Sequence, residues 1–402
     1  MFYLIFVLSI AFLFYLLIPG IGAFLARREW REFREKIIAA STVPVIDFQK
    51  SRTAGYGLSG TDGYTGNYKY FGSMEAIQDE YEVWLRSGNF TVSVDMNRVK
   101  IYLIPAFSHT EEKDNEMYEK NSEIIMDEMP QVLKWERFYS LPQRTDVMVC
   151  GPLFLDKGKA IFKSTSENNI TFLIYNSNPD TLLRRGVWAG RHRNEFWNIF
   201  TPISLIAGSF ALFMTAYFLY SRPVYDFLPK IALSLSLVPF MPLFPPGVIL
   251  FFTYRHFWKK ARFLRAERDL LKLPLRFFSK ESFEENSFCR EPETGKNYCC
   301  RKLDSLEDAL NLCSSGNVKI RSSSVVNKNK TPQQSYYYFY QCGKGTTDPL
   351  VENIVIEGNP AKLSRECKKK SKRYEYLSIA VFCAGMAVNA AISYLFIASL
   401  SR

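Results

Sequence analysis

A chain of 402 residues and 46.5 kDa, 47% apolar and 15% aromatic, has room for two soluble domains plus membrane spans, with enough apolar side chains to give each domain a core. The formal net charge of +11 at pH 7 would suit a nucleic-acid binder, but four dense basic runs, 27–36, 184–193, 255–276 and 362–373, each lie beside a hydrophobic segment. That placement reads as membrane orientation and headgroup contact and sets nucleic acid aside. No C-x-x-C, G-x-S-x-G, P-loop or H-E-x-x-H occurs and His109, His192 and His256 are isolated, so no catalytic, metal or cofactor site is expected.

Residues 1–25 form an N-terminal anchor. The apolar stretch 1–24 lacks the basic start of a secretory signal and is followed by Arg27, Arg28, Arg31, Arg34 and Lys36, which predicts an uncleaved span with its N-terminus outside. Residues 26–198 then read as a β-rich soluble domain. Residues 55–72, rich in Gly, Ser, Thr and Tyr, read as loop, and the literal G-x-G-x-x-G at Gly55, Gly57 and Gly60 opens no apolar-periodic helix. Phe90, Val92 and Val94 alternate, residues 95–97 supply turn chemistry, and Val99, Ile101 and Leu103 alternate again, which predicts a hairpin. The acidic run 111–128 reads as a solvated helix or loop, with binding of a cation or a basic partner as the alternative. Residues 147–150 and 160–163 predict a second hairpin, and 171–175 a further strand. A basic helix at 178–193 leads into the membrane.

Residues 199–254 carry two segments, 200–220 and 231–254, each of about 20 residues and free of charge, long enough to cross a roughly 30 Å hydrocarbon layer. The connector 221–230 is too short for a domain, so the pair reads as a transmembrane hairpin. Pro239, Pro242, Pro245 and Pro246 must bend or break its second arm. Residues 255–375 begin with a basic amphipathic helix, 255–276, and continue as a second small α+β domain. Within it 303–312 suits a helix capped by Ser305, and 318–326 and 336–340 suit strands. The fourth span lies in 376–400, where Asn389 shares a face with Gly385, Ala384, Ala387 and Ala391, a small-residue surface that suits helix packing and homo-oligomer formation.

Two features bear on the second domain. Asn359-Pro360 followed by Leu363, a basic stretch and a span echoes Asn178-Pro179 followed by Leu183, a basic stretch and a span, which reads as a degenerate, truncated repeat or as chance similarity between short basic-apolar junctions. Six cysteines, Cys289, Cys299, Cys300, Cys313, Cys342 and Cys367, fall here. The positive flanks place both soluble domains on the cytoplasmic side of a bacterial inner membrane or a eukaryotic organelle membrane, so these are expected as free thiols, with a disulfide framework of fifteen possible pairings, in an oxidising compartment, and a metal site as the alternatives. On that side the sequons at Asn89, Asn169 and Asn329 carry no meaning.

The order of anchor, β-rich domain, basic lead and second span resembles the GIDE, or "beside a membrane", domain of mitochondrial ubiquitin ligase activators. NFTVSVDMNRVKIYLIPA looks like that family's strand-turn-strand, LPQRTDVMVCGPLFLDKGKAIFK like its following strand pair, and TFLIYNSNPDTLLRR like its closing strand and helix. The resemblance covers about 43–220. Those ligases end in a RING finger built on paired Cys and His zinc ligands, which this chain lacks. The resemblance therefore implies a membrane-apposed interaction module, or an accessory to a ligase that supplies the RING. SRPVYDFLP and YRHFWKK are also similar to the tail of the LUMA family of inner nuclear membrane proteins.

The expected class is thus a multi-pass α-helical membrane protein, four transmembrane helices with β-rich α+β soluble domains. The expected function is non-enzymatic: a scaffold, organiser or stress-signalling protein that binds an unknown protein partner and the anionic headgroups of the lipid bilayer, with a small transporter or channel as the rival. Headgroup contact is assigned to Arg184, Arg185, Arg191, Arg193, Lys259, Lys260, Arg262, Arg265, Lys368, Lys369 and Lys370.

Overall fold

The computed structural model describes residues 2–46, 63–78, 81–104, 131–139, 141–142, 144–156, 159–176, 178–189, 191, 195, 197–221, 226–243, 247–278, 287–290, 297–314, 318–326, 335–342 and 348–400. The acidic run 111–128, the glycines at 55, 57 and 60, Arg193 and Asn329 lie outside them. In chain order the first part holds helix α1 (Phe2–Ala40) and strands β1 (Gly63–Gln78), β2 (Glu82–Ser87), β3 (Phe90–Asp95), β4 (Ile101–Ile104) and β5 (Gln131–Leu133). Helix α2 (Trp135–Phe138), strands β6 (Asp146–Asp156), β7 (Lys159–Phe162) and β8 (Thr171–Tyr175), and helices α3 (Leu182–Trp188), α4 (Phe200–Tyr220), α5 (Phe227–Ser236) and α6 (Gly247–Lys272) follow. The rest is β9 (Ser287–Arg290), β10 (Asn297–Leu303), α7 (Leu306–Ser314), β11 (Lys319–Arg321), β12 (Tyr336–Cys342), β13 (Ile354–Glu357) and α8 (Pro360–Leu400).

The chain divides into two compact units. One, helical, gathers Met1–Arg31, Arg191–Ala266 and Glu366–Arg402; the other, sheet-rich, gathers Glu32–Gly190 and Glu267–Arg365.

In the helical unit α1, α4 and α8 are long and apolar enough to cross a membrane. The remaining predicted span, 231–254, is not one helix: α5 ends at Ser236, a 3-10 turn occupies Val238–Leu243, and α6 begins at Gly247. The four prolines explain the break, because each lacks the N–H that the next turn needs and its ring clashes with the preceding one. Close approach of α1 and α4 depends on Gly208, where an added Cβ would lie 2.6 Å from Cβ of Phe14. Tyr15 ties three helices: its hydroxyl shares a 3.2 Å hydrogen bond with Ser209 and donates at 3.1 Å to the Leu235 carbonyl.

In the sheet-rich unit the first sheet has the order β1-β2-β3-β7-β6-β8-β4-β5, and β1 also pairs with β6. Strands β1, β2, β3, β7 and β6 thereby close into a ring, with β8, β4 and β5 continuing from β6. The ring closes because β1 changes partner along its length: residues 63–73 pair with β6, and 73–78 with β2. Val83, Leu85, Val92, Val94, Val147, Val149 and Phe162 fill the interior at alternate positions, as a period of two requires.

Two expectations fail here. Residues 63–72 are strand, not loop; their backbone donors and acceptors are taken up by β6. The hairpin between 90–95 and 101–104 does not form: β3 pairs with β2 and β7, while β4 pairs with β8 and β5. The alternation marked a buried apolar face on each strand, but Ser93 and Tyr102 on the opposite faces are buried as well, and it carried no information on the partner. The second hairpin does form, with Asp156 opposite Lys159.

The second sheet has the order β11-β13-β12-β10-β9. Its helix α7 is capped as the sequence indicates, the Asp308 N–H donating to Ser305 Oγ at 3.1 Å. Both sheets contain one four-strand pattern. In β1-β6-β8-β4 and in β10-β12-β13-β11 the strands stand in the chain order first, third, fourth, second, and the successive pairings are antiparallel, antiparallel, parallel. Each pattern ends in an Asn-Pro cap. Asn178 Oδ1 accepts from the Asp180 N–H, and Asn359 Oδ1 accepts from the N–H groups of Ala361 and Lys362.

The free-thiol expectation holds for Cys300 and Cys313 and is overturned at Cys299, which is disulfide-bonded. The residue opposite Cys299 in the ladder to β9 is Cys289.

Candidate membrane-surface site

The predicted headgroup contacts separate into residues turned inward and residues turned outward. Arg185 is 5% exposed; its guanidinium donates to the carbonyls of Asn176 at 2.8 Å and Ile104 at 3.1 Å, tying α3 to the ends of β8 and β4. Arg184 is half-buried and Arg191 is 7% exposed. A buried guanidinium cannot reach a headgroup, so Arg185 and Arg191 are withdrawn from the lipid-contact set.

Arg262 is corrected for the same reason, and Arg265, partly exposed, because its charge is taken up by a carboxylate. Arg262 sits on the inward face of α6, where Nη1 and Nη2 donate in parallel to the two Glu195 carboxylate oxygens at 2.8 and 2.7 Å. Its guanidinium lies 4.2 Å from the Trp258 ring centroid, on the same face one turn earlier. Arg27 of α1 donates to the same carboxylate. Glu195 thus holds two arginines from two helices, with its side chain only 8% exposed. Arg265 pairs with Glu375 of α8. Next to this clamp Asn198 begins α4: its Oδ1 accepts from the Phe200 N–H at 2.9 Å, and its amide donates to the Pro19 carbonyl at 3.1 Å. Gly22 makes room, since a Cβ there would lie 2.3 Å from Asn198 Oδ1.

Lys259 and Lys260 on α6 and Lys368, Lys369 and Lys370 on α8 are exposed, as are Arg255, Lys372 and Arg373. The two helices bring these groups together. Phe257 stacks on Tyr374 at 6.0 Å, and Lys260 Nζ lies 5.0 Å from the Tyr374 ring centroid. Along α8 the buried positions 364, 367, 371 and 378 recur at helical spacing, which leaves the lysines on the open faces.

Three acidic partners were missed from sequence: Glu195, Glu375 and Asp348. For the first two a signal exists, since each is a carboxylate set between a basic run and a span, where such a group is expected to be paired. Asp348 is the partner of Lys69 on β1. Nζ lies 2.6 Å from Oδ2 with both side chains essentially unexposed, and Nζ also donates to the carbonyls of Ala40 and Ser41 at 3.1 and 3.3 Å. No family model, curated protein or solved structure matches the chain.

Proposed function

We propose that this is a four-crossing membrane protein that holds one sheet-rich unit against a single membrane face, where it binds a protein partner while a lysine collar engages headgroup phosphates. The single observation that carries the reading is the buried Lys69–Asp348 pair. It joins a strand that follows α1 to a loop that follows α6, and two segments sharing a wholly buried ion pair cannot stand on opposite sides of a bilayer. The chain must then return across the membrane between α4 and the second sheet. The broken stretch α5 to α6 is the segment available for that return, and a broken helix is tolerated where neighbouring helices cover it. The repeated strand pattern supports the same count, since each copy lies between one helix that precedes it and one that follows: α1 and α4, then α6 and α8.

For the partner, the supporting surface is an aromatic group on the first sheet's side of the unit. Trp135 lies between Tyr81 and Tyr139 at 5.5 and 5.4 Å, with the two tyrosines 43% and 54% exposed. The order of helix, β lobe, basic segment and span supports a GIDE-like, non-catalytic module. On its side of the membrane two features pull apart: the Lys and Arg beside the spans favour the cytoplasm, and the disulfide at Cys299 favours an oxidising compartment.

The lipid part is tested on the full chain in neutral detergent, titrated with phosphatidylglycerol or phosphatidylcholine. A ligand that binds only the folded state raises the melting temperature. The expected result is a rise with phosphatidylglycerol that is lost in K259Q/K260Q/K368Q/K369Q/K370Q. An equal rise in that variant refutes the collar.

A further inference from the structure

We propose that Asn89 and Asn169 are N-glycan acceptor sites and that the sheet-rich unit lies on the membrane side where disulfides form and sugars are attached. This inference rests on the membrane embedding proposed above and sets its side.

Three independent observations carry it. Cys299 is disulfide-bonded, and structural disulfides persist in secretory, lumenal or periplasmic surroundings and are rare where glutathione keeps thiols reduced. The second observation is the placement of the sequon Asn89-Phe90-Thr91. Gly88 and Asn89 form the two-residue turn between β2 and β3, closed by the pair Ser87 and Phe90, with Gly88 at φ +59° as the first central position of such a turn requires. Asn89 and Thr91 are both exposed there. Third, in Asn169-Ile170-Thr171 the asparagine is exposed in the loop before β8 while Ile170 beside it is 3% exposed, so the chain anchors inward and the amide faces out. A bulky, hydrophilic substituent at either amide would displace nothing packed.

The opposing signal, basic residues beside the spans, has another explanation in part. Arg27 and Arg262 neutralise Glu195, Arg265 neutralises Glu375, and Arg185 ties strand ends, so these four are required by the fold whichever way it faces. The charge rule counts loops shorter than roughly 60 residues and positions within roughly 15–20 residues of a span end, so the exposed lysines and arginines beside the spans still weigh toward the cytoplasm, against the disulfide. The one short connector, 221–230, carries Arg222 and Lys230 against Asp226, which favours the cytoplasm for the tip and so the opposite side for the sheets.

In the transfer, Asn Nδ2 bonds to the anomeric carbon of an oligosaccharide carried on a lipid pyrophosphate. The anomeric C–O bond breaks, the lipid pyrophosphate leaves with the electron pair, and the amide gives up one proton.

The test is translation of the full chain with endoplasmic-reticulum microsomes, which supply that donor, followed by glycosidase treatment and alkaline carbonate extraction. Two glycosidase-sensitive mobility steps are expected in the carbonate-resistant pellet. N89Q and N169Q should each remove one, and T91A, which keeps the asparagine, should remove the same step as N89Q. A pelleted chain with no glycosidase-sensitive step overturns the side and the sites while leaving the embedding intact. A ladder of glycosidase-sensitive steps left unchanged by N89Q and by N169Q overturns the two acceptors, whatever the third sequon at Asn329 contributes. Release into the carbonate supernatant overturns the embedding, and this inference with it.

Discussion

Lys69 Nζ stands 2.6 Å from Asp348 Oδ2 in a setting that solvent does not reach, and two main-chain carbonyls at the end of α1 accept its other protons. One ammonium thereby meets three parts of the fold: the C-terminal turn of α1, the long bent strand β1, and the loop before β13. Removing one partner of a buried pair strands the other charge, at a cost of about 3–5 kcal/mol. D348L and K69M should each lower the unfolding free energy of the detergent-solubilised chain by that order, whereas K69M/D348L should recover much of the loss because no charge is left unpaired. Thermal unfolding of the four proteins gives the coupling directly. Additive losses would show that the pair does not act as a unit.

The helix caps offer a smaller, local effect. Asn359 accepts two backbone N–H groups at the start of α8, and Asn178 accepts one at the turn before α3. Substituting a capping Asn by Ala costs about 1 kcal/mol. N359A and N178A should each lower the melting temperature modestly, with N359A the larger because it orphans two donors. Equal and negligible shifts would remove the caps as a shared structural device of the two sheets.

Much of this arrangement was legible in the sequence, and the limits have physical causes. Helices α1, α4 and α8 announce themselves by length and apolar content, and the prolines foretell the break between α5 and α6. Period-two alternation identified the buried faces of β3 and β4, but it cannot say that β3 lies beside β2 and β7, because pairing over distance is fixed by the whole core. The glycines and tyrosines of 63–72 hid a strand whose partner, β6, lies far along the chain. The basic runs were visible, yet their division into inward Arg262 and outward Lys259 depends on which helical face meets Glu195. That depends on packing the sequence does not state.

Alkaline pH should loosen the sheets. Burial pushes the thiols of Cys150 and Cys300 up to about 12 from the ordinary 9. A raised folded-state value means that the neutral thiol is favoured in the fold, so its contribution is fully present below pH 9 and is lost as pH climbs from 9 toward 12. Each thiol contributes a slope of ~1.4 kcal/mol per pH unit across that window. The melting temperature of the wild type should fall between pH 9 and 11, and C150A/C300A should show a shallower fall. Parallel curves would mean that other groups, such as the buried Tyr298 hydroxyl that is also shifted upward, govern the decline.

The clamp at Glu195 separates an internal arginine from a surface lysine by experiment. Glu195 and Arg262 form two parallel charge-assisted bonds while Arg27 shares the carboxylate, all with little exposure at Glu195. E195Q keeps the shape and removes the charge, which leaves two guanidiniums facing an amide and should cost about 3–5 kcal/mol. R262K keeps the charge but cannot span both oxygens and loses the face that rests on Trp258, so it too should destabilise. K259Q, one turn away on the open face of the same helix, should shift stability by no more than ~0.5 kcal/mol. Unfolding of the three variants in one detergent decides the matter. If R262K and K259Q behaved alike, Arg262 would be another surface cation, and the division between fold-holding arginines and headgroup-facing lysines would fail.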